Sequence, residues 1–136
     1  NYFADTLPPT NDWLCWHKKN DNRSFSEFEL AWSNLGKNCR MLSHHWGGET
    51  KEHPTQKPAA VIEWCLEMTE GTVFDPFCGS GTIVIAAEKQ RRSAYGIELD
   101  PAYCDVIVKR WEDFTGNTAV CEPSADHFDQ EELEVA

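Results

Sequence analysis

Basic residues are scarce in this chain, which limits the ways in which it could hold a polyanion. Its 136 residues include 12 Lys and Arg against 23 Asp and Glu, for a formal net charge of −11. That balance has the wrong sign for a module that binds DNA by neutralising phosphates alone. Because residues 122–136 contain six acids and neither Lys nor Arg, we expect a flexible acidic tail after a domain that spans residues 1–121.

The chain also lacks an apolar run long enough to span a membrane, a signal peptide and any C-x-x-C pair. We therefore expect a cytoplasmic protein whose six cysteines are reduced thiols, without a membrane partner. Four histidines and one of the cysteines could be interpreted as a zinc site, but no pair among them has the spacing of a zinc finger or a zincin. We expect no metal at these residues, which are His17, Cys39, His44, His45 and His53.

Residues 72–100 read as a strand, a glycine turn, a helix and a second strand. Apolar residues precede Asp75, glycines follow it, and residues 83–87 are apolar at helical spacing before a second apolar run at residues 94–99. This order predicts one βαβ unit of an α/β fold. Glycines at such a turn let a ligand approach the backbone, and an acid after the next strand, here Glu98, can bind ribose hydroxyls.

The glycine spacing argues against two common ligands. Gly79 and Gly81 form G-x-G without the third glycine of the dinucleotide fingerprint, and no Lys follows them as a phosphate-binding loop would require. A nicotinamide or ATP site is therefore disfavoured.

The same segment resembles the cofactor loop of S-adenosylmethionine-dependent DNA amino-methyltransferases. Their pattern is Asp-Pro-Phe-x-Gly-x-Gly-Thr followed by a Gly-Ile-Glu strand end, and the positions that match are Asp75, Pro76, Phe77, Gly79, Gly81, Thr82, Gly96, Ile97 and Glu98. The resemblance implies a Rossmann-like, doubly wound sheet, S-adenosyl-L-methionine as cofactor and double-stranded DNA as substrate. It also implies a prokaryotic or phage enzyme of DNA methylation and restriction-modification.

A second segment, His53-Pro54-Thr55-Gln56-Lys57-Pro58, is similar to the same family, in which it lines the methionine end of the cofactor. The alternative for Thr55 and Lys57 is ordinary helix-start chemistry, with Thr55 as the N-cap of a helix over residues 56–68. The resemblance favours the cofactor role. The predicted cofactor-binding residues are thus Thr55, Lys57, Asp75, Pro76, Phe77, Gly79, Ser80, Gly81, Thr82 and Glu98.

The residues before this site predict three strands. Residues 13–16 form the first, and residues 27–33 alternate with period two, which is typical of a half-buried strand. Residues 39–42 are predicted to pair with that second strand as an antiparallel ribbon at the sheet edge. Between the first two strands, the basic loop at residues 17–23 either contacts DNA phosphate or is ordinary solvated surface.

After Glu98, a helix is predicted with Asp100 as its cap, Pro101 at its first position and Gly116 just past its end. Residues 118–121 are predicted to form a short last strand.

The residues that would perform methyl transfer are missing. The resembling enzymes hold the target amine with an Asp/Asn/Ser-Pro-Pro-aromatic segment, but the one Pro-Pro pair here is Leu7-Pro8-Pro9-Thr10, whose Leu cannot accept a hydrogen bond and whose Thr cannot stack. We therefore assign no catalytic residue. The resemblance implies the C-terminal half of an enzyme whose catalytic strand, absent here, lies between the strands at residues 73–75 and 13–16.

Three hypotheses follow. The first is the cofactor-binding part of a DNA methyltransferase that acts on an exocyclic amino group of a base and is inactive by itself. The residues leave adenine N6 and cytosine N4 open, and the resemblance alone favours adenine. Because unpaired strand edges recruit other strands, its partner would be the missing N-terminal segment or a second copy of the chain. The second is a non-catalytic remnant that binds cofactor or a partner chain. The third, an unrelated nucleotide-binding module, is disfavoured by both matching segments.

Overall fold

The computed structural model describes residues 6–20, 26–45 and 56–122. Most of the predicted acidic tail therefore lies outside the described residues, as do His53 and Thr55. In chain order the elements are β1 (Trp13–His17), β2 (Phe28–Trp32), β3 (Arg40–Ser43), α1 (Ala59–Leu66), β4 (Val73–Asp75), α2 (Thr82–Lys89), β5 (Ala94–Gly96) and α3 (Pro101–Thr115). The described strands form two sheets, ordered β2-β1-β3 and β4-β5, instead of one continuous sheet.

The first sheet has β1 at its centre. β1 pairs antiparallel with β2 on one side and parallel with β3 on the other. The predicted ribbon between the second and third strands is therefore wrong. The connection after β2 is tied to the start of β1, since Ser33 N–H donates to the Asp12 carbonyl at 3.0 Å and Lys37 N–H to the Asp12 carboxylate at 3.0 Å. It carries the chain past β1 to its other edge.

This strand order also contradicts the predicted position of the catalytic strand, which was placed next to the strand at residues 13–16. Because β1 has a neighbour on both sides, it cannot be the strand next to an absent one. The strand edges without a described partner in this sheet belong to β2 and β3.

The predicted βαβ unit is confirmed by β4, α2 and β5. The two strands are parallel, with Phe74 opposite Tyr95, and α2 packs against both β5 and α1. Their small and branched side chains exclude water from one face of the unit. The core consists of Leu66, Val73, Ala86 and Ala87, with Ile62, Ile83 and Ala94 packed against it.

The helix ends test the capping arguments. α3 is confirmed, because the Asp100 carboxylate accepts the Ala102 N–H at 2.9 Å and Gly116 ends the helix with a left-handed φ of 73°. α1 instead begins at Ala59 with Pro58 as its N-cap. A proline disfavours the helical region for the residue before it, and Lys57 precedes the first helical residue. The predicted helix start at residue 56, with Thr55 as its cap, is therefore wrong.

Two further expectations are wrong. Residues 118–121 are not a strand, because the Ala119 N–H is bound by the Glu112 carboxylate at 2.8 Å instead of by a neighbouring strand. The expected buried face of β2 is open, with Phe28 and Leu30 at 49% and 53% exposure.

None of the helices within the described ranges combines the length and the apolar character needed to cross a membrane. All six cysteines are free thiols. The described residues contain no group of three or more His, Cys, Asp or Glu side chains that could hold a metal ion.

Candidate functional site

A cavity of about 830 Å³ opens where β4 and β5 end. Its size lies within the roughly 300–1,000 Å³ of small-molecule sites, and the carboxyl ends of parallel strands are where open α/β sheets bind ligands. Most of the predicted site residues line it. Those that do are Lys57, Asp75, Pro76, Phe77, Gly79, Ser80, Thr82 and Glu98, whereas Gly81 is not among the lining residues.

The glycine turn uses its two glycines differently. Both have left-handed backbones, with φ of 54° at Gly79 and 74° at Gly81. A Cβ on Gly79 would meet no atom within 4 Å, whereas one on Gly81 would lie 2.8 Å from Cγ1 of Ile107. Gly79 therefore leaves open space for a ligand, and Gly81 permits α3 to pack closely.

Glu98 joins the end of β5 to the glycine turn. Its Oε2 accepts the Gly79 N–H at 2.6 Å, and its Oε1 accepts the Asp100 N–H at 2.9 Å. Sequence reasoning placed this carboxylate at the site but did not predict its bond to the turn. The geometry thus holds a negative charge directly beside the turn.

Asp75 shapes the chain after β4. Its Oδ1 accepts the Phe77 N–H at 2.9 Å, the local bond by which an aspartate closes a turn on its own backbone. The Phe77 ring is 86% exposed at the cavity. Asp75 therefore orients an apolar surface beside the polar turn.

Ser80 connects the turn to two residues that sequence reasoning missed. Its hydroxyl, in a residue only 3% exposed, donates to Gln56 Oε1 at 3.1 Å. The Arg110 guanidinium donates to both the Ser80 carbonyl and its hydroxyl. Gln56 could have been found, because it stands inside the matching segment beside Lys57. Nothing in the sequence distinguishes Arg110 from other charges on a helix surface.

Lys57 is held by an ion pair with β2. Glu29 lies 3.0 Å from Lys57 Nζ and 2.9 Å from Lys18 Nζ. Although desolvation acts to raise the pKa of Glu29, hydrogen bonds from both lysines lower it below its usual value. Lys18 belongs to the basic loop that was predicted as a possible DNA phosphate contact, and it is thus paired within the protein. Residues 21–23 of that loop lie outside the described residues.

Cys78 is the thiol in the cavity wall. Burial raises its pKa, and the charges of Asp75 and Glu98 raise it further. Since the thiolate is the reactive form, Cys78 is suited to packing and not to nucleophilic chemistry.

Comparison with known proteins decides the family. The sequence profile of the N6/N4 DNA methylases matches residues 4–109. This chain belongs to the N6/N4 DNA methylase family. The family depends on S-adenosylmethionine, and its members are enzymes of DNA methylation and restriction-modification.

Two bacterial relatives illustrate how far the family similarity extends. The type II methyltransferase M.Cfr9I of Citrobacter freundii is 47% identical over 102 residues, which cover 73% of this chain and 31% of the relative. M2.DpnII of Streptococcus pneumoniae is 32% identical over 111 residues, or 73% of this chain and 41% of that protein. The chain thus spans less than half the length of these relatives.

Solved structures confirm the predicted α/β, Rossmann-like class. The M1.HpyAVI–SAM complex superposes with a TM-score of 0.60 at 27% identity, covering 74% of this chain and 61% of that one. TTHA0409 of Thermus thermophilus, described as a putative DNA modification methylase complexed with S-adenosyl-L-methionine, gives 0.59 at 21% identity, covering 85% and 58%. The second likeness concerns the fold alone.

Proposed function

We propose that this chain is the S-adenosylmethionine-binding part of an enzyme that methylates an exocyclic amino group of a base in DNA. The observation that carries the proposal is the cavity at the ends of β4 and β5, whose wall combines the glycine turn with the Glu98 carboxylate. Family membership supplies the reaction class, and the cavity supplies a place for the cofactor.

The residues present fit this cofactor. The open space at Gly79 admits a ligand against the backbone. Glu98 would accept the ribose hydroxyls, since a carboxylate oxygen can accept more than one hydrogen bond, and Lys57 and Thr55 would hold the methionine end. Asp75, Pro76, Phe77, Ser80, Gly81 and Thr82 would complete the binding loop. When bound, the cofactor supplies an activated methyl group that passes directly to the target amine.

We propose further that the catalytic segment lies outside this chain, N-terminal to it, and that adenine N6 is the amine methylated. No Asp-Pro-Pro-Tyr-like segment occurs in the sequence. The two separate sheets, and the edges of β2 and β3 that have no described partner, support an incomplete sheet that the missing segment or a second copy of the chain would extend. Double-stranded DNA is then the substrate of the complete enzyme, and this chain alone is inactive.

Calorimetric titration with S-adenosylhomocysteine, NAD and ATP tests the cofactor assignment. We expect only the first to bind. Glu98→Ala should weaken it at least about tenfold, because a hydrogen bond to a charged group contributes about 1.5–3 kcal/mol. Glu70→Ala is the matched control, since this carboxylate is exposed and lies away from the cavity. Unchanged affinity in Glu98→Ala would refute the assignment.

The reaction itself is tested with the complete enzyme. After incubation with DNA and radiolabelled cofactor, nucleoside chromatography should find the label in N6-methyladenine, whereas this chain alone should transfer none. Label in N4-methylcytosine would refute the choice of adenine. Cofactor binding without transfer even by the complete enzyme would instead favour the non-catalytic remnant.

A further inference from the structure

α3 contacts the glycine turn through two residues that do not line the cavity. Ile107 packs where a Cβ on Gly81 would stand, and Arg110 donates to the carbonyl and hydroxyl of Ser80. Positions three apart share one helix face, so this face of α3 lies against consecutive residues of the turn.

The Arg110 contact fixes one specific peptide. The Ser80 carbonyl belongs to the peptide that carries the Gly81 N–H, which donates to the Cys78 carbonyl at 2.9 Å. A guanidinium holding that carbonyl therefore restrains the orientation of the whole peptide unit. Ser80 is only 3% exposed, and charge-assisted bonds are stronger where water is largely excluded.

Glu98 holds the same turn from the β5 side. Its carboxylate binds the Gly79 N–H at 2.6 Å, while Arg110 binds the Ser80 carbonyl. A negative group on the Gly79 amide and a positive group on the Ser80 carbonyl, two peptide units further along, each match the local dipole of the backbone. The turn is thus clamped by opposite charges from two different elements.

We propose that Arg110 is a positioning residue that keeps the turn in its ligand-ready conformation without touching the ligand. Glycine loses more conformational freedom on ordering than any other residue, and this turn contains two. Without Arg110 the turn would have to be ordered when the ligand binds. The identity of that ligand rests on the proposed function.

The test compares Arg110→Met with Lys109→Met in this chain. Lys109 is the adjacent cation on α3, with a 75% exposed side chain 2.8 Å from Asp113, so its loss makes the same change in charge at a residue whose ion pair lies within α3. Arg110→Met should weaken S-adenosylhomocysteine binding about 5- to 30-fold, the factor for ordering one more residue on binding. Lys109→Met should leave it unchanged, and Arg110→Lys should be intermediate.

A second readout needs no ligand. In protein labelled with [15N]glycine, Arg110→Met should shift the Gly79 and Gly81 resonances and accelerate exchange of the Gly81 amide. Gly36, in the turn between β2 and β3, should be unaffected. If Arg110→Met does not fold, Arg110→Lys is measured in the same way.

Each outcome has a defined meaning. Unshifted turn glycines, or equal effects of Arg110→Met and Lys109→Met, would overturn the positioning role. If wild-type protein fails to bind S-adenosylhomocysteine, the proposed function fails, while the glycine resonances still decide the role of Arg110.

Discussion

The substitution Gly96→Ala should destabilise the folded protein, because the added Cβ would collide with the Cys78 thiol. A Cβ built on Gly96 would lie 2.0 Å from Cys78 Sγ, although the backbone of Gly96 is not left-handed. The penalty of Gly96→Ala is therefore a collision and not a strained φ. Cys78 is 8% exposed and its thiol donates to the Asp75 carbonyl at 3.6 Å, so moving the sulfur away from a new Cβ breaks that contact.

Overpacking of this kind costs about 1–3 kcal/mol. For a domain of this size that corresponds to a fall in Tm of roughly 4 °C per kcal/mol. Cys78→Ala alone should cost about 1 kcal/mol for the lost sulfur. In the double variant the new Cβ would meet Cys78 Cβ at 3.6 Å, an ordinary contact, so stability should recover above that of Gly96→Ala.

Thermal and guanidinium denaturation followed by circular dichroism, on the wild type, both single variants and the double variant, form a double-mutant cycle. We expect a favourable coupling of at least about 1 kcal/mol. If the two destabilisations simply add, the sulfur is not what excludes a side chain at position 96, and the reasoning is refuted.

The remaining predictions concern the glycine turn, a helix cap and an ion pair. Gly79→Ala should reduce S-adenosylhomocysteine affinity more than stability, whereas Gly81→Ala should lower Tm because its Cβ would lie 2.8 Å from Ile107; equal effects of both variants in calorimetry and thermal unfolding would contradict this. Asp100→Ala should destabilise the protein by about 1 kcal/mol in urea denaturation, because α3 loses its N-cap. An unchanged denaturation midpoint would show that the Asp100 cap does not contribute to stability. The pKa of Glu29 is lowered in the folded protein, so its stabilising contribution is complete above the unfolded pKa and is lost as pH falls through the folded one. Glu29→Gln should therefore cost about 0.2–1 kcal/mol at pH 7 and flatten the acid limb of the stability–pH curve, and a parallel curve would refute the pairing.

Local chemistry explains which features could be predicted from the sequence. The βαβ unit around the glycine turn, the cap at Asp100 and the stop at Gly116 each depend on residues within one turn or strand of one another. Such local structures can be predicted from the sequence because the interacting groups are neighbours along the chain. The glycine turn and Glu98 were placed at the cavity for the same reason, since both stand at the ends of paired strands. The other cavity residues, such as Lys57, were predicted only through the resemblance to the DNA amino-methyltransferases.

Only the tertiary structure decided how distant segments meet. Sequence alternation in β2 indicated a buried face, but burial requires a closely packed covering element, and Phe28 and Leu30 remain 49% and 53% exposed. The position of β3 was decided by the bonds of Asp12 to residues 33 and 37, and the role of Arg110 by the approach of α3 to Ser80. These interactions join groups more than twenty residues apart, and no local preference of the chain specifies which partner each group will meet.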